Sequence, residues 1–458
     1  MVFSSILFLF KFLPVAFLIY YIAPYKIKNL VLFIASLIFY SWGERKYIVI
    51  MFASILIDYC CSNAIEKFRG KKLLEKLFLV LSICFNLGLL LFFKYTNFFV
   101  DNINALAGTQ IAGISLTLPL GISFYTFQTM SYTIDVYRGK FSAEKNIIDF
   151  GAFVCMFPQL IAGPIVTYGD IRERLKKRTL NAPEIEKGIR LFIMGLGSKV
   201  LIANNIGMLW DDVSALGFAN ISTPLAWLCV IAFAFQIYFD FSGYSLMAIG
   251  LGHMLGFNFP QNFNYPYISK SVTEFWRRWH MTLGYWFREY VYIPLGGNRV
   301  GKTRLFFNLF LVWFLTGFWH GANWNFILWG LFYFALLMLE KSFLLDVLKK
   351  SKIISHVYLI FVVLVGWALF AVTDMAQLGQ LLAKMFSFNF FGDFVYFLRN
   401  YGVILVVATA CSMPIMNKLY DKINHKKWLV TLLLTLILLA SVAYLVDATY
   451  NPFLYFRF

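Results

Sequence analysis

Five histidines stand among the 458 residues, and imidazole is the side chain best suited to proton transfer near neutrality. His320 lies in Phe318-Trp319-His320-Gly321-Ala322-Asn323-Trp324, at the tip between two apolar runs. With the basic stretches around 299–304 and 349–352 on one side of a membrane, those runs form a hairpin that buries His320 deeply. An ionisable residue there is costly and points to function. The competing reading is an interfacial histidine packed among tryptophans. His280, in Trp276-Arg277-Arg278-Trp279-His280, fits the polar face of an interfacial helix as well as it fits a reaction centre. His253 reads as a helix-end residue, and His356 and His425 lie in basic loops and read as solvated. Asp240 follows Gln236 by four residues, which puts both on one helix face. A carboxylate within a membrane is expensive unless partnered, so Asp240 is expected to meet a cation or a polar cavity, in a structural or a catalytic role.

Other chemistries are poorly supplied. Gly296 to Thr303 matches the phosphate-loop pattern G-x-x-x-x-G-K-[ST] letter for letter. A working phosphate loop needs a strand before it and a soluble helix after it, whereas Thr303 leads straight into Arg304-Leu305-Phe306-Phe307. ATPase function is therefore not expected, although backbone N–H groups with Lys302 or Arg299 could still hold a phosphate in another geometry. No G-x-S-x-G elbow supports a serine acyl-enzyme. The six cysteines, without a C-x-x-C, read as small hydrophobes, and no metal site is expected.

The elements that must position these groups belong to a membrane. Hydrophobic residues make up 60% of the chain and charged residues 14%, against about 25% in soluble domains. The formal charge of +17 sits mostly in short gaps between apolar runs, the pattern of loops facing anionic headgroups rather than of a nucleic-acid surface. Candidate spans begin with about 4–23, read as a retained span rather than a cleaved signal, and end with about 428–447. They predict an all-α polytopic protein of roughly ten to thirteen membrane segments. Those near 118–136 and 147–166 are interrupted by Pro119 with Gly121 and by Pro158 with Gly163 and Pro164, as in broken or re-entrant helices. The basic loops after the first and third runs, at 172–178, at 349–352 and at 418–427 place both termini outside the cytoplasm. Between about 252 and 304, Phe275, Trp276, Trp279, Trp286 and Phe287 interleave with Arg277, Arg278, His280 and Arg288, which predicts a helix lying in the interface. There is no room for a soluble catalytic domain.

Several motifs follow in order along the chain: Leu118-Pro119-Leu120-Gly121-Ile122-Ser123-Phe124-Tyr125-Thr126-Phe127-Gln128, Asp135-Val136-Tyr137-Arg138, Gln159-Leu160-Ile161-Ala162-Gly163-Pro164-Ile165 and Phe239-Asp240-Phe241-Ser242-Gly243-Tyr244-Ser245. Further on come Phe263-Asn264-Tyr265-Pro266-Tyr267, Glu274 to His280, Tyr292 to Arg299, and Trp319-His320-Gly321-Ala322. Together they resemble the membrane-bound O-acyltransferase (MBOAT) family, nearest its alginate O-acetyltransferase branch, with the teichoic-acid D-alanyl transferases more distant. The resemblance is strong over about 1–345 and rests on hydropathy beyond. One position departs: Leu246 stands where the family pattern has an acidic residue.

The resemblance implies one membrane domain over 1–458, with N-terminal spans at 1–117, a motif-bearing core at 118–345 and C-terminal spans at 346–458, its helices ringed around a central passage. It implies that His320 is the essential histidine and His280 a second one. Arg277, Arg278 and Arg299 would meet the phosphates of an acyl-thioester donor, acetyl-CoA or the phosphopantetheine of an acyl carrier protein, and Asp240 and Asn323 would complete the substrate-binding set. No tightly bound cofactor is implied. The implied setting is the bacterial plasma membrane, and the implied acceptor an exported polysaccharide, peptidoglycan or an extracytoplasmic acetyltransferase partner. D-alanyl transfer to teichoic acid is the alternative within the family. A transporter is the rival of another class, favoured by the broken runs near Pro119 and Pro164 and disfavoured by the lack of an internal repeat. A non-catalytic scaffold for an export complex would leave His320 replaceable.

Overall fold

Long runs of Leu, Ile, Val and Phe in lipid leave the backbone no water to bond, so it must satisfy its own N–H and C=O groups as helix. The computed structural model describes residues 1–447 and Leu454, and among these every regular element is helical. Among the described residues seven helices are long and apolar enough to cross a membrane: Ile48–Lys67, Lys72–Ala107, Ala182–Leu216, Thr223–Leu255, Lys352–Ala371, Asp393–Cys411 and Lys427–Asp447. Phe8–Ile22 is a shorter apolar helix. The chain is a multi-pass membrane protein.

By its contacts the chain divides into two compact units, residues 1–192 with 245–260, and 193–244 with 261–458. The first holds α1 (Leu13–Ile22), α2 (Lys28–Gly43), α3 (Ile48–Lys67), α4 (Lys72–Ala107), α5 (Ile122–Tyr137), α6 (Ile147–Cys155), α7 (Phe157–Leu160) and α8 (Tyr168–Lys176). The chain passes from one unit to the other within α9 (Ala182–Gly197); α10 (Asn204–Leu216) then belongs to the second unit, and the chain passes back within α11 (Thr223–Leu255). The second unit continues with α12 (Val272–Arg278), α13 (Met281–Phe287), α14 (Lys302–His320), α15 (Trp324–Leu339), α16 (Leu345–Leu348), α17 (Lys352–Ala371), α18 (Met375–Met385), α19 (Asp393–Cys411), α20 (Ile415–Ile423) and α21 (Lys427–Asp447).

In the first unit the two interrupted runs do break. The 147–166 run ends α6 at Cys155 and resumes as the short α7, with Pro158 in its first turn. Gly121 starts α5 at φ +72°, and a β-carbon there would stand 2.5 Å from the Leu160 carbonyl oxygen, so the two breaks close on each other through glycine. Asp58, on α3, is fully buried without a cation: its carboxylate accepts from Asn86 Nδ2 at 2.8 and 3.1 Å, from Thr133 Oγ1 at 3.3 Å and from Ser82 Oγ.

In the second unit α14 and α15 form the hairpin expected around His320. They meet backbone to backbone: a β-carbon on Gly330 would stand 2.5 Å from the Trp313 carbonyl oxygen, and one on Gly317 would strike the Phe326 carbonyl. Small residues at a crossing are how helices pack closely where lipid removes the hydrophobic drive. Around the hairpin gathers an aromatic core of Trp276, Trp279, Trp313, Trp329, Tyr333 and Trp367.

Candidate active site

The interfacial helix expected between 252 and 304 is two short helices with a sharp turn between them. Ser271 starts α12, its Oγ accepting from the Glu274 N–H at 3.1 Å. Glu340, 1% exposed, closes the same end: its carboxylate accepts from the N–H groups of Val272 at 2.6 Å and Thr273 at 2.9 Å, and from Thr273 Oγ1 at 2.7 Å. A carboxylate at a helix N-terminus satisfies donors the helix leaves unpaired and complements its dipole. The chain leaves α12 at Trp279 in an extended conformation, and His280 turns it through the left-handed region at φ 44°. For a residue with a β-carbon that conformation costs roughly 1–2 kcal/mol, strain of the kind that gathers at functional sites.

Asn262 holds the turn. Its main-chain oxygen accepts from the Met281 N–H at 2.9 Å, and its side-chain oxygen meets Thr282 N at 3.3 Å, Thr282 Oγ1 at 3.0 Å and His280 Nδ1 at 3.0 Å. His280 is 2% exposed and stands edge-on to Phe241 at 4.7 Å between ring centroids. Burial pushes its imidazole down to about 3, so the ring is neutral at physiological pH.

His320 is the last residue of α14, and Gly321 turns the chain away in extended conformation. Its ring is half-buried, 5.0 Å from both Trp319 and Trp329 and 5.2 Å from Phe370. The negative end of the helix dipole therefore lies at the ring that would carry positive charge on taking a proton. His320 and His280 both line one cavity of about 620 Å³. Arg277, Arg288 and Lys341 line it too, as do Trp276 and Thr316, and none of its lining residues is acidic.

The other expected residues lie elsewhere. Arg278 is held by Glu274, with Nη2 2.9 Å and Nε 3.0 Å from its Oε1, and is absent from the cavity wall. Arg299 is exposed and also off the wall, although its neighbour Asn298 lines it. Asn323 is exposed at the start of α15 and caps it with no side-chain hydrogen bond. Asp240 does meet a cation: it pairs with Lys199 at 2.7 Å, both side chains almost wholly buried, and its Oδ2 accepts from the Leu454 N–H at 2.9 Å. That pair stitches α11 to the π-helical turn Ser198–Ala203 and makes no part of the cavity wall. The glycines of the phosphate-loop match, Gly296 and Gly297, form a tight turn with φ of 103° and 57° ahead of α14, with no strand among the described residues to complete a nucleotide site.

Four residues of the site carry no local signature in the sequence. Arg288 stands in the basic and aromatic interleaving around His280, but nothing there separates it from Arg278. Lys341 follows an apolar run like any flanking lysine. Asn262 and Glu340 act through contacts remote along the chain, which only the fold discloses.

In this membrane-spanning helical body, His280 and His320 line one cavity together with the cations Arg277, Arg288 and Lys341. The membrane-bound O-acyltransferase family model matches residues 138–350. The chain is 42% identical to a protein of Azotobacter vinelandii named "Probable alginate O-acetylase AlgI", over 85% of this chain and 79% of that one. A Pseudomonas putida protein of the same name is 37% identical over the whole of both chains. The "Peptidoglycan O-acetyltransferase" of Helicobacter pylori is 35% identical over 85% of this chain and 80% of its own. The chain belongs to the membrane-bound O-acyltransferase family and is an O-acyltransferase.

Proposed function

We propose that the chain transfers an acetyl group from a cytoplasmic thioester to hydroxyls of an exported cell-surface polysaccharide, at the bacterial plasma membrane and with both termini outside the cytoplasm. The observation that carries the reading is that His320 and His280 line one cavity whose charged lining residues, among the described residues, are Arg277, Arg288 and Lys341. Both acetyl-CoA and a phosphopantetheine arm carry phosphate, which these cations would hold by charge-assisted hydrogen bonds. The relatives named for alginate and peptidoglycan acetylation favour acetyl over D-alanyl transfer.

In the proposed step an acceptor hydroxyl gives its proton to the His320 imidazole as its oxygen attacks the thioester carbonyl. The tetrahedral intermediate expels the thiolate, which recovers the proton from the imidazolium, so that an ester and a free thiol leave and the enzyme returns unchanged. A thioester is already activated, and holding both reactants in contact supplies much of the acceleration. His280, neutral and fixed, orients a reactant.

The test is mass spectrometry of cell-surface polymers from cells with the gene, without it, and with His320→Ala. Acetyl esters should be present in the first and absent from the other two, with the variant inserted in normal amount. Esters retained with His320→Ala would overturn the mechanism, and a different acyl mass would overturn the assignment to acetyl.

A further inference from the structure

The turn between α12 and α13 carries more than a bend. Three groups converge on the side-chain oxygen of Asn262, and one of them, the Thr282 backbone N–H at 3.3 Å, can only donate. The atom of Asn262 facing it is therefore the carbonyl oxygen rather than the amide nitrogen, and the Thr282 hydroxyl at 3.0 Å donates to the same oxygen. His280 Nδ1 lies 3.0 Å from that oxygen as well. An oxygen that only accepts must receive a proton from Nδ1, so Nδ1 is the protonated nitrogen and Nε2 keeps its lone pair.

We infer that Asn262 is a positioning residue of the acyl-transfer site, fixing His280 as the Nδ1–H tautomer so that Nε2 is offered to the reactants as a hydrogen-bond acceptor. This rests on the function proposed above and adds a residue to it. The backbone supports the assignment independently. Asn262 also binds the Met281 N–H through its own main-chain oxygen, so the first N–H groups of α13 and the ring that precedes them are held by one residue. That grip keeps His280 at φ 44°, a conformation it would otherwise leave, with its ring trapped edge-on to Phe241 at 4.7 Å. His280 lines the cavity, and an acceptor nitrogen on its ring suits a hydroxyl: the acceptor sugar O–H would donate to Nε2, which aligns its oxygen while His320 takes the proton. Burial disfavours the imidazolium, which keeps His280 an acceptor throughout the working range of pH.

Two measurements on the full-length protein in lipid nanodiscs test this. Nitrogen-15 NMR of histidine-labelled protein, with the His280 signal assigned by its loss in His280→Gln, should show the Nδ1–H tautomer in the wild type. An Nε2–H signal would overturn the inference without any variant of Asn262 being needed. In acetyl-transfer assays with acetyl-CoA and acetylated carrier protein as donors, Asn262→Ala should lower kcat about tenfold while leaving the donor KM within about twofold, the scale of one positioning hydrogen bond lost. Asn262→Asp, which keeps acceptor oxygens in place, should restore kcat to within about threefold of wild type. Unchanged kcat in Asn262→Ala would sink the positioning role. Absence of acetyl transfer by the wild type would instead count against the proposed function, so the two failures are distinguishable.

Discussion

Three cations on the cavity wall give a residue-scale prediction that separates binding from chemistry. Arg277 and Lys341 line the cavity, and on the proposed function Arg277→Ala and Lys341→Ala would remove cations that bind donor phosphates without moving protons. Each should raise the donor KM by about 10- to 150-fold with kcat nearly unchanged, as expected when a charge-assisted hydrogen bond of about 1.5–3 kcal/mol is lost. Titrating donor in steady-state assays checks this, and a fall in kcat at constant KM would move these residues into the chemistry. Arg278→Ala should leave KM unaltered, because its guanidinium is engaged by Glu274 away from the cavity. The sequence marks both arginines alike. What separates them is the helical phase of α12, which turns one toward the cavity and the other toward its own preceding turn.

At the scale of elements, the site depends on how α12 begins. Glu340 supplies acceptors for Val272 and Thr273, so Glu340→Ala would leave buried donors unsatisfied at about 1–3 kcal/mol each. The variant should melt several degrees lower in detergent and lose activity even though Glu340 touches no reactant, while Glu340→Gln should keep part of both. An unchanged melting curve for Glu340→Ala would show that α12 is held by other means. Much at this scale was legible beforehand: the α14–α15 hairpin around His320, the breaks at Pro119 and Pro158, and a cation for Asp240. The interfacial stretch was legible only in outline. Its aromatic and basic alternation promised one amphipathic helix, but a left-handed histidine divides it in two, and nothing in the local sequence announces that turn. The turn exists because Asn262 reaches it from outside the helix, and contacts remote along the chain leave no periodicity to read.

For the molecule as a whole, the buried imidazole of His280 couples stability to pH. Burial lowers it to about 3, whereas an unfolded histidine titrates near 6.5. Below about 6.5 the unfolded chain takes up a proton that the folded one refuses, so stability is intact above that pH and falls as the pH drops toward 3. The slope is about 1.4 kcal/mol per pH unit for one such group. Thermal melts between pH 7 and 5 should show a steeper loss for the wild type than for His280→Gln, and equal slopes would show that the ring is hydrated in the folded protein. The composition foretold the membrane body and its helical class, since a chain that is 60% hydrophobic has no other way to satisfy its backbone in lipid. Of the cations that line the cavity only Arg277 was foretold, because which basic side chains turn inward depends on helix rotation, which hydropathy leaves open.

The glycine crossing of α14 and α15 lies near the histidine end of α14. Gly317 precedes His320 by three residues, about 4.5 Å along the helix, while Lys302 lies fifteen residues away, about 22 Å. A rocking of about 5° about that crossing would carry the Lys302 end of α14 by about 2 Å and the imidazole by only about 0.4 Å. Any tilt of α14 about that crossing would therefore displace its far end several times further than the ring of His320.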